Sequence, residues 1–198
     1  MPSPKTWALA FAVAGLLLWL NDRLLFESVQ ITSSSMRPTL LPNERVWLKK
    51  QFVEKIQRFD VVVVDSHALG HRIVKRVVAL PGERVKLEDS WRVLVNGRAF
   101  DYSPVTGTTN RFSEASQHEI QLEGNPKFFY ETKFGREELQ LGPDEFYVLG
   151  DNRLASGDSR DFGVVKRAEI QGRLTLVWYS FDLKMRRFRW ERVGSRVH

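Results

Sequence analysis

The chain of 198 residues carries a formal net charge of +6, and 42% of its residues are hydrophobic, a size and composition that suit one soluble domain and one membrane anchor. It contains no cysteine, which excludes a disulfide scaffold, a thiol nucleophile and a cysteine zinc site. The basic balance favours an anionic partner, either a membrane surface or nucleic acid.

An apolar run near the N-terminus extends from Trp7 to Leu20. At about 1.5 Å per residue this run covers only ~20 Å of a ~30 Å hydrocarbon core, whereas continuing it to Phe26 gives roughly the length of a span. No small residues follow the run, as cleavage of a signal peptide would require. A buried amphipathic helix would carry polar residues at every third or fourth position, and the run has none. The sequence therefore predicts an uncleaved transmembrane anchor over residues 1–27 and a separate domain over residues 28–198.

The chain beyond the predicted anchor has the patterns of a β-rich domain. Runs of β-branched and alternating apolar residues predict strands, and Asn96-Gly97 between two of them is a strong hairpin signal. The predicted strands are Val46–Leu48, Asp60–Val64, Ile73–Leu80, Arg92–Val95, Arg98–Phe100, Phe146–Leu149 and Leu174–Tyr179. Residues 101–140 are polar and irregular, which indicates an insertion. The predicted class is mainly β, built as folded antiparallel sheets or a partly closed barrel.

A serine cluster and a single lysine are the first two candidates for chemistry. The first is the serine cluster over residues 33–35, ahead of Met36 and Pro38, a pattern that is also typical of an ordinary loop. The second is Lys75 on a predicted strand. A serine hydroxyl and a lysine amine can form a variant of the serine-protease triad.

The position of Lys75 within its strand is unusual. Ile73, Lys75, Val77 and Ala79 share one face because successive side chains of a strand alternate, and Lys75 is the only charge on that face. A lysine seldom lies on an apolar face unless its stem reaches water or its amine is used. The alternative is an edge-strand lysine that discourages aggregation.

A third candidate is the polar segment over residues 150–163, which is dense in Asp, Asn, Ser and Gly. Such density is typical of turns and of loops that support an active site. Zinc, Walker and GxGxxG patterns are absent from the sequence. The histidines lie in no recognisable catalytic setting and are interpreted as surface residues; they are His67, His71, His118 and His198.

Four segments together resemble the motifs of the bacterial type I signal peptidases. Residues 33–40 resemble the nucleophile motif, in which the serine before the methionine attacks, and residues 58–63 resemble the first core strand. Residues 75–83 resemble the motif of the lysine base, and residues 150–163 resemble the most distinctive box. They occur in the order of the family. The resemblance implies a β-rich catalytic domain on one or two membrane spans, with no cofactor and no metal.

The resemblance also implies a role for each site residue. The implied roles are Ser35 as nucleophile, Lys75 as general base, Ser33 as an oxyanion donor beside the Ser35 N–H, Ser156 as the group that hydrogen-bonds the lysine amine, and Asp158 and Arg160 as a pair that fixes the box. The chain departs from the family at Ser34, where many members carry glycine. The short stretch between the lysine motif and the box implies a reduced insertion at about residues 101–140.

Substrate and location follow from the same resemblance. The implied substrates are exported preproteins, cut after small residues at the first and third positions before the bond, and nucleic acid is not an expected partner. The domain is expected on the extracytoplasmic side of the bacterial plasma membrane. Lys5 and the α-amine favour a cytoplasmic N-terminus, although Arg23 lies on the other flank. The basic residues 184–196 are interpreted either as a lipid contact or as a solvated end of the chain.

Three other functions fit parts of the pattern. Self-cleaving repressors share the serine and lysine chemistry, but they carry a DNA-binding helical domain where this chain has its apolar segment. Plasmid-transfer peptidases process one dedicated substrate. A non-catalytic membrane-tethered β module would use the candidate groups only as turns and an edge strand, and the reactivity of Ser35 separates it from an enzyme.

Overall fold

The computed structural model describes residues 25–50, 55–87, 93–99 and 138–197, together with four helical positions nearer the N-terminus, Trp7, Phe11, Val13 and Gly15. Over this part of the chain the fold is mainly β, which confirms the predicted class. The strands are β1 (Phe26–Gln30), β2 (Glu44–Lys49), β3 (Val61–Ser66), β4 (His71–Ala79), β5 (Arg84–Leu87), β6 (Val93–Val95), β7 (Arg98–Ala99), β8 (Leu139–Gln140), β9 (Glu145–Leu149), β10 (Val165–Lys166), β11 (Ile170–Asp182) and β12 (Arg187–Phe188). A short helix, α1 (Ser159–Phe162), follows β9.

The strands form two antiparallel sheets. The larger has the order β1-β2-β11-β3-β4-β9-β10, with β12 paired to the end of β11, and the smaller has the order β7-β6-β5-β8. β4 lies between β3 and β9 in the larger sheet. Lys75 on β4 is therefore not an edge-strand residue, and the aggregation-guard alternative does not apply.

β3 is a central strand and its sequence explains why. Residues 61–64 are four consecutive valines, all buried to 2% exposure or less. Such a run packs well on both faces of a covered sheet, where β-branched side chains are favoured. β3 pairs with β4 in the register Val62↔Lys75 and Val61↔Arg76, so the lysine is placed over the most apolar part of the sheet.

One of the apolar clusters attaches the serine loop to the sheet. Met36 and Leu40 pack with Val46, Leu48 and Leu174 of β2 and β11, and none of these side chains is more than 2% exposed. Burying a side chain of this size contributes about 1.5–3 kcal/mol. The loop between β1 and β2 is therefore fixed to the core directly after the last residue of the serine cluster.

The predicted hairpin at Asn96-Gly97 is confirmed, because β6 and β7 pair across it. Both residues have positive φ, 52° and 77°, as a tight two-residue hairpin turn requires. At the end of the predicted insertion, Leu139 and Gln140 form β8 and pair with β5, and the extent of the insertion stays a prediction. Residues 101–137 of that insertion lie outside the described residues.

The basic C-terminal segment folds back on the large sheet. After β12 the chain returns along β11, where the Val177 N–H donates to Ser195 O at 2.9 Å and the Val197 N–H donates to Thr175 O at 2.9 Å. The segment is therefore an ordered part of the domain. Its contact with lipid stays a prediction.

The N-terminal anchor also stays a prediction. Most of residues 1–27 lie outside the described residues, and the side chains of Trp7, Phe11 and Val13 are exposed. In the part of the chain that the structure describes, no helix combines the length and the apolarity needed to span a membrane.

Candidate active site

Ser35 lies in the loop that connects β1 to β2. Two hydrogen bonds close this loop at its base, from the Ile31 N–H to Glu44 O and from the Asn43 N–H to Ile31 O, each of 2.8 Å. Met36 is buried in the core on one side of the serine. Ser35 itself is buried at 6% exposure, so its hydroxyl has a fixed place beside β4.

Lys75 reaches that hydroxyl from the middle of β4. Its amine nitrogen Nζ donates to Ser35 Oγ at 3.0 Å, although the two residues are 40 positions apart in sequence. Lys75 is 4% exposed, and Val77, its neighbour on the same face of β4, is fully buried. Ala79 is also fully buried, but a register shift between Val77 and Ala79 pairs it with Tyr147, so Ala79 does not share this face as the strict alternation of the sequence analysis expected. The structure therefore brings together the two residues that the sequence analysis put forward as nucleophile and base.

The surroundings of Lys75 favour a neutral amine. Burial lowers the pKa of Lys75 below its ordinary value, and this is the largest influence on it. The carboxylate of Asp158 acts in the opposite direction, and the guanidinium of Arg160 adds to the lowering. Burial lowers a lysine pKa because the charged form loses its hydration.

Ser33 also contacts the nucleophile. Its Oγ lies 3.1 Å from Ser35 Oγ, and Ser33 is exposed whereas Ser35 is buried. A hydroxyl in this position can donate to an oxygen that develops next to Ser35. Its role as an oxyanion donor stays a prediction.

Asp158 and Arg160 form the pair that the resemblance implied. Arg160 Nε and Nη2 donate to the two oxygens of Asp158 at 2.7 and 2.9 Å. Asp158 also caps α1, accepts from the Gly150 N–H at 2.9 Å and is fully buried. The pair therefore holds the segment after β9 and the start of α1 in one compact loop.

The predicted hydrogen bond between Ser156 and the lysine amine is not formed. Ser156 Oγ is buried and has no hydrogen-bond partner among the described residues. The hydroxyl lies against Gly150, where an added Cβ would be 2.1 Å from Ser156 Oγ and 2.7 Å from Ser35 O. Ser156 is thus next to the nucleophile's backbone and makes no hydrogen bond to Lys75.

Two further residues of the same loop contact the site without having been singled out from the sequence. Asp151 accepts from Arg76 Nε at 2.8 Å and from Arg76 Nη2 at 2.7 Å. The backbone N–H of Asn152 donates to Ser35 O at 2.9 Å. One sequence signal could have revealed the first contact: Arg76 follows Lys75 on a strand that is apolar on both sides, so a buried carboxylate partner is needed.

The remaining titratable candidates lie elsewhere. His67 and His71 are exposed, in agreement with their interpretation as surface residues, while His118 and His198 lie outside the described residues. Within the described part of the chain, no group of three or more His, Cys, Asp or Glu residues has an arrangement that could hold a metal ion.

Comparison with known proteins identifies the family to which this site belongs. Residues 5–179 match the family model described as signal peptidase, peptidase S26. The chain belongs to this family. The predicted family and the predicted class of enzyme, a serine endopeptidase, are confirmed, and the non-catalytic module and the repressor are excluded.

Individual relatives agree with the family match. Signal peptidase I T of Bacillus subtilis (strain 168) is 30% identical over 179 residues, which cover 89% of this chain and 86% of that protein. Signal peptidase I of Streptococcus pneumoniae serotype 4 is 28% identical over 188 residues, covering 85% and 89%. A solved structure of a signal peptidase I from Enterococcus faecalis V583 is 33% identical, covers 61% of this chain and 97% of that one, and has a TM-score of 0.43.

Proposed function

We propose that this signal peptidase cleaves exported preproteins with Ser35 as nucleophile and Lys75 as general base. The observation that carries the proposal is the 3.0 Å distance between Lys75 Nζ and Ser35 Oγ inside a buried, desolvated site. A serine hydroxyl is a weak nucleophile until a nearby base takes its proton. A lysine can take it only as a neutral amine, and burial lowers the pKa of Lys75 in that direction.

Acylation uses the two side chains in sequence. The neutral Lys75 amine accepts the Ser35 hydroxyl proton while Oγ forms a bond to the carbonyl carbon of the scissile peptide. The carbonyl oxygen becomes an oxyanion. When the C–N bond breaks, the Lys75 ammonium returns its proton to the departing amine, so the mature protein leaves with a free N-terminus and Ser35 carries the acyl group as an ester.

Deacylation repeats these transfers with water. Lys75, neutral again, accepts a proton from water while the water oxygen bonds to the ester carbon. Collapse of the second tetrahedral intermediate breaks the C–Oγ bond, and the proton on Lys75 returns to Ser35 Oγ. The signal peptide leaves with a free carboxylate, and the enzyme is restored without any cofactor.

The oxyanion needs donors at the place where its charge develops. The backbone N–H of Ser35 and the hydroxyl of Ser33 are the proposed donors. The position of the Ser33 hydroxyl supports its role, because Ser33 Oγ lies 3.1 Å from the attacking oxygen. The Ser35 N–H belongs to the nucleophile itself. Asp158 and Arg160 are proposed as supporting residues that fix the loop packed against Lys75, since both influence the lysine amine electrostatically.

A peptide assay tests this function. A peptide that contains Ala-X-Ala is incubated with the purified chain, and mass spectrometry locates the cut after the second alanine. Ser35→Ala should abolish cleavage, whereas Ser195→Ala, on the C-terminal segment, should cleave at the wild-type rate. A panel of unrelated signal sequences separates a general peptidase from one with a single dedicated substrate. Full activity of folded Ser35→Ala protein would refute the assignment.

A topology assay tests the proposed location. With residues 1–27 as a single span and the N-terminus inside, the catalytic domain lies on the extracytoplasmic side of the plasma membrane. Protease added to intact spheroplasts or protoplasts should digest the domain. Protection of the domain until the membrane is lysed would contradict this orientation.

A further inference from the structure

Asn152 makes hydrogen bonds to both peptide groups that flank the nucleophile. Its backbone N–H donates to Ser35 O at 2.9 Å. Its side-chain amide nitrogen Nδ2 donates to Ser34 O at 3.3 Å, across 118 positions of sequence. One residue of the loop after β9 therefore holds the backbone on either side of the attacking serine.

The side-chain contact has a consequence for the Ser35 N–H. Ser34 C=O and Ser35 N–H belong to the same peptide group, which is planar and trans, so they point in opposite directions. A donor that fixes the direction of the carbonyl also fixes the direction of the N–H. The Arg37 N–H donates to the same carbonyl at 3.1 Å. Arg37 belongs to the same loop as Ser34, so its bond does not fix that loop relative to the rest of the domain. Asn152 belongs to a different segment, so its bond does.

Asn152 is itself held firmly enough to act as that reference. The preceding residue, Asp151, is locked to Arg76 of β4 by two hydrogen bonds of 2.7 and 2.8 Å. The Ala155 N–H donates to Asn152 O at 3.0 Å. Lys75 also lies on β4. Through Asp151 and Asn152, the backbone of the nucleophile is therefore connected to the strand that positions the base.

We propose that Asn152 is a positioning residue that sets the direction of the Ser35 N–H toward the oxyanion. The inference rests on the proposed function, in which this N–H stabilises the tetrahedral intermediate. Asn152 acts through the Ser34–Ser35 peptide group and does not touch the substrate. Its loss should affect the transition state more than the bound substrate.

The test compares Asn152→Ala with wild-type protein in the peptide assay. The alanine variant keeps the backbone bond to Ser35 O and loses only the bond to Ser34 O. Removing an oxyanion donor outright typically costs about 10²–10³ in rate, so a misdirected donor should lower kcat by about 10–10²-fold. KM should change less than about twofold. The acidic limb of kcat/KM against pH should stay in place, because Lys75 keeps its surroundings.

A peptide aldehyde provides a second measurement on the same variant. Its carbonyl carbon accepts Ser35 Oγ and forms a hemiacetal whose oxygen occupies the oxyanion position. Its affinity should fall by the same factor as kcat, because the adduct resembles the transition state. Gln140→Ala is the matched control: it removes a side-chain amide that donates to a backbone carbonyl, Gly82 O at 2.9 Å, in the smaller sheet, so its kcat should stay close to that of the wild type.

Each outcome decides the question. A kcat of Asn152→Ala within twofold of the wild-type value overturns the inference, and so does a lower kcat with unchanged aldehyde affinity. If Asn152→Ala fails to fold, Asn152→Asp replaces it, because a carboxylate of the same shape cannot donate to Ser34 O; near-wild-type kcat in that variant overturns the inference equally. If Ser35→Ala is inactive and Asn152→Ala is fully active, only this inference is refuted. If Ser35→Ala is active, the proposed function itself is refuted.

Discussion

Arg76 and Asp151 form a bidentate ion pair whose side chains are 1% and 0% exposed. Arg76 also donates to Phe59 O at 2.6 Å and to Thr39 Oγ1 at 3.4 Å. The guanidinium thus joins four segments: β4, the nucleophile loop, the turn before β3 and the loop after β9. Lys75 and Arg76 are adjacent and project to opposite faces of β4, so one strand positions the base on one side and connects the surrounding loops on the other.

Asp151→Asn should therefore weaken both stability and activity. Removing one partner of a buried ion pair leaves an uncompensated charge and typically costs about 3–5 kcal/mol. Urea unfolding of the purified full-length chain measures the loss, and the peptide assay should show slower cleavage because the loop next to Ser35 loses its attachment to β4.

The control for Asp151→Asn is Asp144→Asn. Asp144 accepts from Arg167 Nε at 3.1 Å, but these side chains are 72% and 32% exposed. An exposed pair of this kind contributes about 0–1 kcal/mol. If Asp151→Asn cost no more than Asp144→Asn, the Arg76 pair would not be a structural attachment of the loop.

Gly150→Ala should disturb the site through contact alone. A Cβ at this position would lie 2.1 Å from Ser156 Oγ and 2.7 Å from Ser35 O. A change of the Ser156 rotamer would move its Oγ but not its Cβ, which would lie 2.5 Å from the added methyl group. The carbonyl of Ser35 cannot move without moving the nucleophile. A misplacement near 1 Å in an active site can cost about 10²-fold, so kcat should fall by about that factor.

Gly157→Ala is the matched control in the same loop. A Cβ at Gly157 would meet only Asp161 Oδ2, at 3.9 Å, which is an ordinary contact. This variant should cleave the test peptide at close to the wild-type rate. Equal rates for the two alanine variants would mean that the close approach of Gly150 to Ser35 has no importance for catalysis.

Those parts of the site that depend on strand pattern were predictable from the sequence. A lone charge on the apolar face of β4 is a feature of residue type and spacing, whereas the choice of Ser35 within the serine cluster came only from the resemblance to the family motif. The structure places Lys75 and Ser35 3.0 Å apart. The hairpin at Asn96-Gly97 was predictable for the same reason, because positive φ at both positions restricts the residues that can occur there.

Other parts depend on partners that leave no trace in residue type. Asn152 acts on backbone carbonyls, which every residue has. Strands β8, β10 and β12 contain two residues each, so their existence depends on pairing with distant strands and not on their own periodicity. The orientation of Ser156 is a choice among rotamers, which the sequence does not determine.

The C-terminal segment should contribute to stability through Arg192. Glu44, which is fully buried at the start of β2, accepts from Arg192 Nε at 2.8 Å and from Ser180 Oγ at 2.9 Å. Arg192 Nη2 also donates to Thr39 O at 2.6 Å. Hydrogen bonds to charged groups contribute about 1.5–3 kcal/mol, so Arg192→Ala should lower the free energy of unfolding by about this amount.

Arg187→Ala provides the comparison for Arg192→Ala. Arg187 is an exposed residue of β12 in the same basic segment, and exposed substitutions usually change stability by less than about 0.5 kcal/mol. If the two variants had equal free energies of unfolding, the contact of Arg192 with Glu44 would add nothing to stability beyond what any basic residue of the segment contributes.

Lys75→Met should abolish cleavage and yet stabilise the fold at neutral pH. The pKa of Lys75 is lowered in the native protein, chiefly by burial, whereas an unfolded lysine has a pKa of about 10.4. Between these two values the unfolded state binds more protons, so wild-type stability rises with pH in this window. Below the lowered pKa the wild-type protein carries the whole cost of keeping an amine in this site. Methionine has no charge to desolvate, so that cost is absent from the variant.

The decisive experiment combines rates and melting curves for wild type, Lys75→Met and Lys75→Arg. Wild-type kcat/KM should rise with pH through the lowered pKa of Lys75, because only the neutral amine accepts the serine proton. Lys75→Arg should be inactive, since a guanidinium stays protonated. The stability advantage of Lys75→Met over wild type should shrink as pH rises toward about 10.4, where the unfolded lysine also loses its proton. Lys86→Met, on an exposed side chain of β5, is the control and should cleave the peptide at close to the wild-type rate. Cleavage by Lys75→Met protein at a rate near that of the wild type would mean that another group is the base.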